Sequence, residues 1–129
     1  MDKTRLTFRK EERLKSVKAI ASLFQDGQTA LVYPIKFVWK TWDHPSPFPI
    51  QAAFSVSGRL FKKSTDRNLL KRRMREAYRL NKHHFYESAG EKKYIIMFIF
   101  IGKEEIPFIR INQSMLAGCR KIFRNRQTS

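Results

Sequence analysis

The chain has 129 residues, 42% of them apolar, with 27 Lys and Arg against 11 Asp and Glu and a formal charge of +16. That length suits one domain with one modest core, and that apolar fraction excludes wholesale disorder. No apolar run is long enough to span a bilayer, Met1 to Lys10 is too polar for a signal peptide, and a lone Cys119 excludes an internal disulfide or a cysteine-based metal site.

Met1 to Glu12 reads as a basic N-terminal arm, free to move except where Phe8 docks, and residues 13–126 read as a single α+β domain. Ser16 offers an N-cap, Val17, Ile20, Ala21 and Phe24 follow at helical spacing, and Gly27 is placed to end that helix. Gln28 to Val32 reads as a short strand, and Ile35 to Trp42 as a longer one rich in aromatic and β-branched residues. The prolines of Asp43 to Pro49 make a loop. Ile50 to Val56 returns as a strand, which predicts an antiparallel pair with the one before it. After a basic connection a second helix starts at Thr65 or Asp66, runs to about Phe85 or Tyr86, and is broken by Ser88-Ala89-Gly90. Tyr94 to Ile101 alternates so little that it reads as a central strand covered on both faces. A last helix covers about Asn112 to Arg124, with Met115, Cys119, Ile122 and Phe123 on one face. The order α-β-β-β-α-β-α predicts helices packed on a small mixed four-stranded sheet. Cys119 then sits as a buried, inert thiol.

The charge points to a partner. So large a positive excess pushes a compact chain apart unless a polyanion neutralises it, and nucleic acid is the commonest such polyanion. A membrane surface would call for a basic amphipathic helix with a broad apolar face or a lipidation signal, and the sequence has neither. The expectation is a cytoplasmic protein without a membrane partner.

The second helix carries most of this argument. Projected at about 100° per residue, Leu70, Met74, Ala77, Tyr78 and Phe85 share an apolar sector. Asn68, Lys71, Arg72, Arg75, Arg79 and Lys82 fall in the roughly opposite one. Solvated helix faces normally mix signs, because like charges one turn apart repel. Here Glu76 is the only acid in the helix body, and Asp66 suits the N-terminal dipole. Phosphates would offset the repulsion, and arginine forks bind them bidentately. Phe24, Phe37 and Trp39 fit either of two roles: core residues, or an exposed aromatic surface that stacks unpaired bases.

These residues resemble the bacterial ribonuclease P protein subunit family from about Phe8 to Phe123. The marks are Arg13-Leu14, then Ile20, Phe24 and Gly27, then Ser55-Val56-Ser57, and above all Arg67-Asn68-Leu69-Leu70-Lys71-Arg72-Arg73-Met74-Arg75-Glu76. The Tyr94-Ile95-Ile96 strand and a final helix ending near Phe123 also fit. The sequence departs from the family at Leu69, where a basic residue is usual, at Gly58, where a lysine is usual, and in a connection one residue longer that lacks its glycine.

The resemblance implies a fold like the second domain of ribosomal protein S5, with a left-handed β-α-β crossover through the basic helix. It implies a non-catalytic protein subunit that assists removal of the 5′ leader of precursor tRNA by a catalytic RNA. By position, Arg67, Asn68, Lys71, Arg72, Arg75 and Arg79 would contact the RNA subunit, with Arg59, Lys62 and Lys63 as further basic contacts. Ile20, Phe24, Phe37 and Trp39 would line a leader cleft between the first helix and the sheet. The Mg²⁺ of the reaction would be held mainly by RNA, and no obligatory protein partner is implied. Adjacent His83 and His84 should splay by about 100° on a helix, which argues against a nuclease site of the protein's own. A structural RNA-binding protein with no part in cleavage, and a protein-only endonuclease, remain the rival readings.

Overall fold

The structure, a computed structural model, describes residues 8–128. A short 3-10 turn at Lys10–Glu12 precedes α1 (Val17–Asp26), β1 (Gln28–Val32), β2 (Ile35–Thr41), β3 (Ile50–Val56), α2 (Ser64–Ala89), β4 (Tyr94–Phe100) and α3 (Phe108–Thr128). The element order and the α+β class are those the sequence predicts. Ser16 Oγ caps α1 by accepting the Ala19 N–H at 3.1 Å. Gly90 ends α2 at φ 64°, a left-handed conformation that suits glycine. α3 starts at Phe108, a turn earlier than the apolar pattern suggests, because the Pro107 carbonyl accepts from Arg110 and Ile111.

The strand order is β1-β2-β4-β3. β4 pairs antiparallel with β2 (Phe37 opposite Phe98) and parallel with β3 (Phe54 opposite Phe98). β2 and β3 therefore never pair, and the antiparallel hairpin expected of them is corrected. The reason lies in β4, whose residues are apolar on both faces and so belong between two strands and two layers. Ile96, Phe98 and Phe100 face α2 and α3 on one side, and Ile95 and Met97 face α1 on the other. Each such side chain, fully buried, contributes about 1.5–3 kcal/mol.

Met1 to Thr7 of the expected arm lie outside the described residues. From Phe8 onward the segment is docked. Phe8 packs edge-on against Phe54 and Tyr78, with ring centroids 5.6 and 6.0 Å apart. Leu14 N–H donates to the Ala52 carbonyl at the outer edge of β3. Between them Glu12 is completely buried. Its Oε1 accepts from Lys82 Nζ at 2.8 Å and from the Tyr86 hydroxyl at 2.5 Å, and its Oε2 accepts the Arg9 N–H at 2.7 Å. A buried carboxylate is tolerated only when paired and bonded in this way.

His44, in the proline loop, is also buried. Its Nε2 lies 3.3 Å from the Pro49 carbonyl and so carries the hydrogen, while its buried Nδ1 finds no hydrogen-bond partner among the described residues. Burial, then the nearby Lys93 charge, holds its pKa below the ordinary value.

Removing one partner of the buried ion pair strands the other. Glu12→Ala should cost about 3–5 kcal/mol, read from the urea midpoint at constant slope. A loss within about 0.5 kcal/mol would mean that the pair does not hold the segment down. For His44 the unfolded chain takes up a proton near its ordinary value of about 6.5, while the folded chain resists. Its contribution is complete above that pH and is lost as the pH falls through the lowered folded value. Between about pH 7.5 and about pH 5 the native chain should lose more stability than His44→Leu does, and equal losses would clear His44 of the effect.

Candidate nucleic-acid interface

The two-sided character of α2 is as projected: Leu70, Met74, Ala77, Tyr78 and Phe85 are buried against the sheet and α3. The cationic side is shorter than projected. Lys82 is 1% exposed and bound to Glu12, because the docked N-terminal segment crosses the helix there and covers Tyr86 as well. Its place in an outward stripe is corrected. Arg79 is bonded to Glu76 one turn back, with its Nε 3.1 Å from Oε1. That hydrogen bond holds the Glu76 carboxyl below and the Arg79 guanidinium above their usual values. Arg67 donates to the Phe61 and Lys62 carbonyls at 2.7 and 2.8 Å and so pins the connection that carries exposed Arg59, Lys62 and Lys63.

What remains outward is the N-terminal half of the stripe. Asn68, Lys71, Arg72 and Arg75, with Thr65 and Leu69, line a concavity of about 500 Å³. Among the described residues no acid forms an ion pair with Lys71, Arg72 or Arg75. Four groups of hydrogen-bond donors around one hollow, three of them cationic, suit a phosphate backbone.

The four residues of the expected cleft do not share a surface. Phe37 is 0% exposed and faces α3, where Gly118 lets the helix approach so closely that a Cβ would fall 2.1 Å from the ring. Trp39 lies on the same face by strand alternation and is half-buried against the same core. Both are corrected to packing residues. Ile20 and Phe24 do stand on the other face, with Phe24 62% exposed. There the sheet presents exposed Lys36 and half-buried Ala53, Ser55 and Ile99, of which the sequence reading names only Ser55, as part of a family mark, and none as lining a site. Strand alternation sets Lys36 with Val38 and Lys40 on the face of β2 opposite Ile35, Phe37 and Trp39, but joining them to Ala53, Ser55 and Ile99 takes the register across β4. Lys40 itself is engaged, donating to Ser22 and Asp26 at 2.6 Å each.

Among the described residues no three His, Cys, Asp or Glu side chains group to hold a metal ion. Cys119 is buried, and burial pushes its thiol up to about 12, which leaves it inert. His83 and His84 do not splay as expected: their ring centroids lie 3.9 Å apart. Side-chain rotation closes the angle that the helix opens between them.

The sequence model of the family described as Ribonuclease P matches residues 8–126. The chain belongs to that family. A "Ribonuclease P protein component" of Porphyromonas gingivalis is 31% identical over 102 residues, covering 78% of this chain and 74% of the relative. One from Chlorobium phaeobacteroides is 34% identical over 121 residues, covering 91% and 76%. The fold is similar to that of the ribonuclease P proteins of Thermotoga maritima (TM-score 0.67, 20% identity, 85% of this chain and 96% of that one) and Staphylococcus aureus (TM-score 0.66, 20% identity, 86% and 94%). A part in tRNA processing by a ribonuclease follows from ribonuclease P family membership. Among the described residues no helix is long and apolar enough to cross a membrane.

The two aromatic positions separate in a melting experiment. Phe37→Ala should lose about 3–5 kcal/mol, whereas Phe24→Ala should stay within about 0.5 kcal/mol of the parent. Similar losses at both positions would contradict the placing of Phe37 inside the core and Phe24 on the surface of α1.

Proposed function

We propose that this chain is the protein subunit of a ribonuclease P holoenzyme. The RNA subunit sits on the face made by Asn68, Lys71, Arg72 and Arg75. The 5′ leader of precursor tRNA runs over the open face of the sheet beside Ile20 and Phe24. The observation that carries the reading is the concave group of cations on α2 with no acid paired to them among the described residues. Arg67 and Arg79 contribute charge at its border while holding the connection and Glu76. Arg59, Lys62 and Lys63 extend it, since all three are exposed on the connection that leads into α2.

The reaction is hydrolysis of one phosphodiester, which frees the leader and leaves a mature 5′ end. In this reading, as the family resemblance implies, the metal and the reacting phosphate belong to the RNA subunit, and the protein takes no chemical step. Its work is electrostatic. Two RNAs repel, and a chain of charge +16 between them lowers that repulsion. Exposed Phe24 offers a stacking surface to an unpaired leader base, a contact that is tolerant of sequence. The setting is the cytoplasm, with no membrane and no obligatory protein partner.

Reconstitution at low magnesium tests this. Added to ribonuclease P RNA, the protein should stimulate precursor cleavage, and Arg72→Ala with Arg75→Ala should lower that stimulation. The pair should also flatten the slope of log affinity against log salt by about two. No stimulation would leave a structural RNA-binding protein, and cleavage by the protein alone would make it the nuclease.

A further inference from the structure

Outside the α2 concavity, a second hollow of about 370 Å³ lies where the N-terminal segment meets the outer strand β3. Its walls include Phe8, Arg13, Lys15, Phe54 and Arg75, over a floor of Leu14 and Ala52–Ala53. Arg75 borders both hollows, so the two meet at that side chain.

Two arginines stand in this hollow in the same manner. The Arg13 guanidinium lies over the Phe8 ring, 5.7 Å from its centroid, and the Arg75 guanidinium lies over the Phe54 ring, at 5.9 Å. The two rings touch each other edge to face at 5.6 Å, and both pack on the fully buried Tyr78. The Arg13 backbone is fixed as well, since it bridges to Ala52 at the edge of the sheet. Both guanidiniums thus lie over half-buried rings that pack against the core, and among the described residues neither forms an ion pair with an acid. A cation resting on an aromatic face keeps its outward N–H groups for another acceptor.

We infer that Arg13 and Arg75 form a clamp for one backbone phosphate of an RNA strand, with Lys15 at its rim. The inference rests on the RNA-binding reading above and adds to it a site on the N-terminal segment. A phosphodiester fits better than an acidic peptide for two reasons. Paired arginine forks match the tetrahedral oxygens, and the clamp continues a hollow already suited to a phosphate backbone. Each ring already carries a guanidinium over it, so the hollow suits a phosphate better than a stacked base. The Glu12–Lys82 pair acts as a positioning device, since it fixes the segment that carries Arg13.

The test is a double-mutant cycle in the full chain with Arg13→Met, Arg75→Met and both together. Two affinities are read: that of the protein for ribonuclease P RNA, and that of the assembled holoenzyme for precursor tRNA with and without its leader. Each single change should weaken binding by about tenfold or more. The double variant should fall well short of the product of the two losses, because one phosphate is lost only once. Losses on the RNA subunit alone assign the phosphate to that RNA, and losses confined to leader-bearing precursor assign it to the leader. Arg13→Lys should recover only part of the loss, since an ammonium lacks the fork. Multiplicative losses, full recovery with lysine, or no loss from Arg13→Met would overturn the clamp. An Arg72→Ala control keeps the two readings apart. If it weakens RNA binding while Arg13→Met does not, the clamp alone fails, and if neither does, the RNA face on α2 fails too. Unchanged melting of the arginine variants shows that the losses are not losses of fold.

Discussion

The Glu12–Lys82 pair is the interaction on which the shape of the cationic surface depends. Without it α2 would display positive charge along most of its length. With it the segment from Phe8 to Leu14 lies across the second half of the helix, covers Lys82 and Tyr86, and confines the free cations to the first half. The pair has little merit as a source of stability in itself, because desolvating two charges consumes most of what their attraction returns. Its value is positional. The Arg9 N–H and the Tyr86 hydroxyl leave the carboxylate only one well-satisfied place, so the segment has one register on the helix.

Electrostatics and packing divide the labour along α2. Arg67, Arg73 and Arg79 look from the sequence like members of the same basic run as Lys71, Arg72 and Arg75. Arg67 holds two carbonyls of the preceding connection, Arg73 holds Glu105 and the Ile106 carbonyl, and Arg79 holds Glu76. The residues left over gather at one hollow instead of spreading evenly. Concentrating unpaired charge costs repulsion in the free protein, and a polyanion removes that cost on binding.

The local structure was legible because it is written in periodicity. Ser16, Gly27 and Gly90 mark helix ends, and the unbroken apolar run of Tyr94 to Phe100 marks a buried strand. Partnership between distant segments was not legible. Alternation puts Phe37 and Trp39 on one face of β2 and Lys36, Val38 and Lys40 on the other, but it does not say which face α1 covers. The angular projection of Lys82 was sound, yet no local pattern links it to an acid near the N-terminus. The same gap explains the misplaced hairpin, since the strand that separates β2 from β3 comes after both in the chain. The family resemblance named the α2 residues on one contiguous motif, and Asn68, Lys71, Arg72 and Arg75 of that motif line one hollow. It supplied the aromatic cleft poorly, where the match depended on strand register.

The position of β4 also has a consequence for how the molecule comes into being. A polypeptide leaving the ribosome can close the β1–β2 hairpin at once, but β3 has no neighbouring strand to join until Tyr94–Phe100 has emerged. The chain ahead of Tyr94, including the basic helix α2, must therefore wait with β3's edge bare. Late insertion of the middle strand makes the sheet a long-range, all-at-once closure rather than a stepwise one.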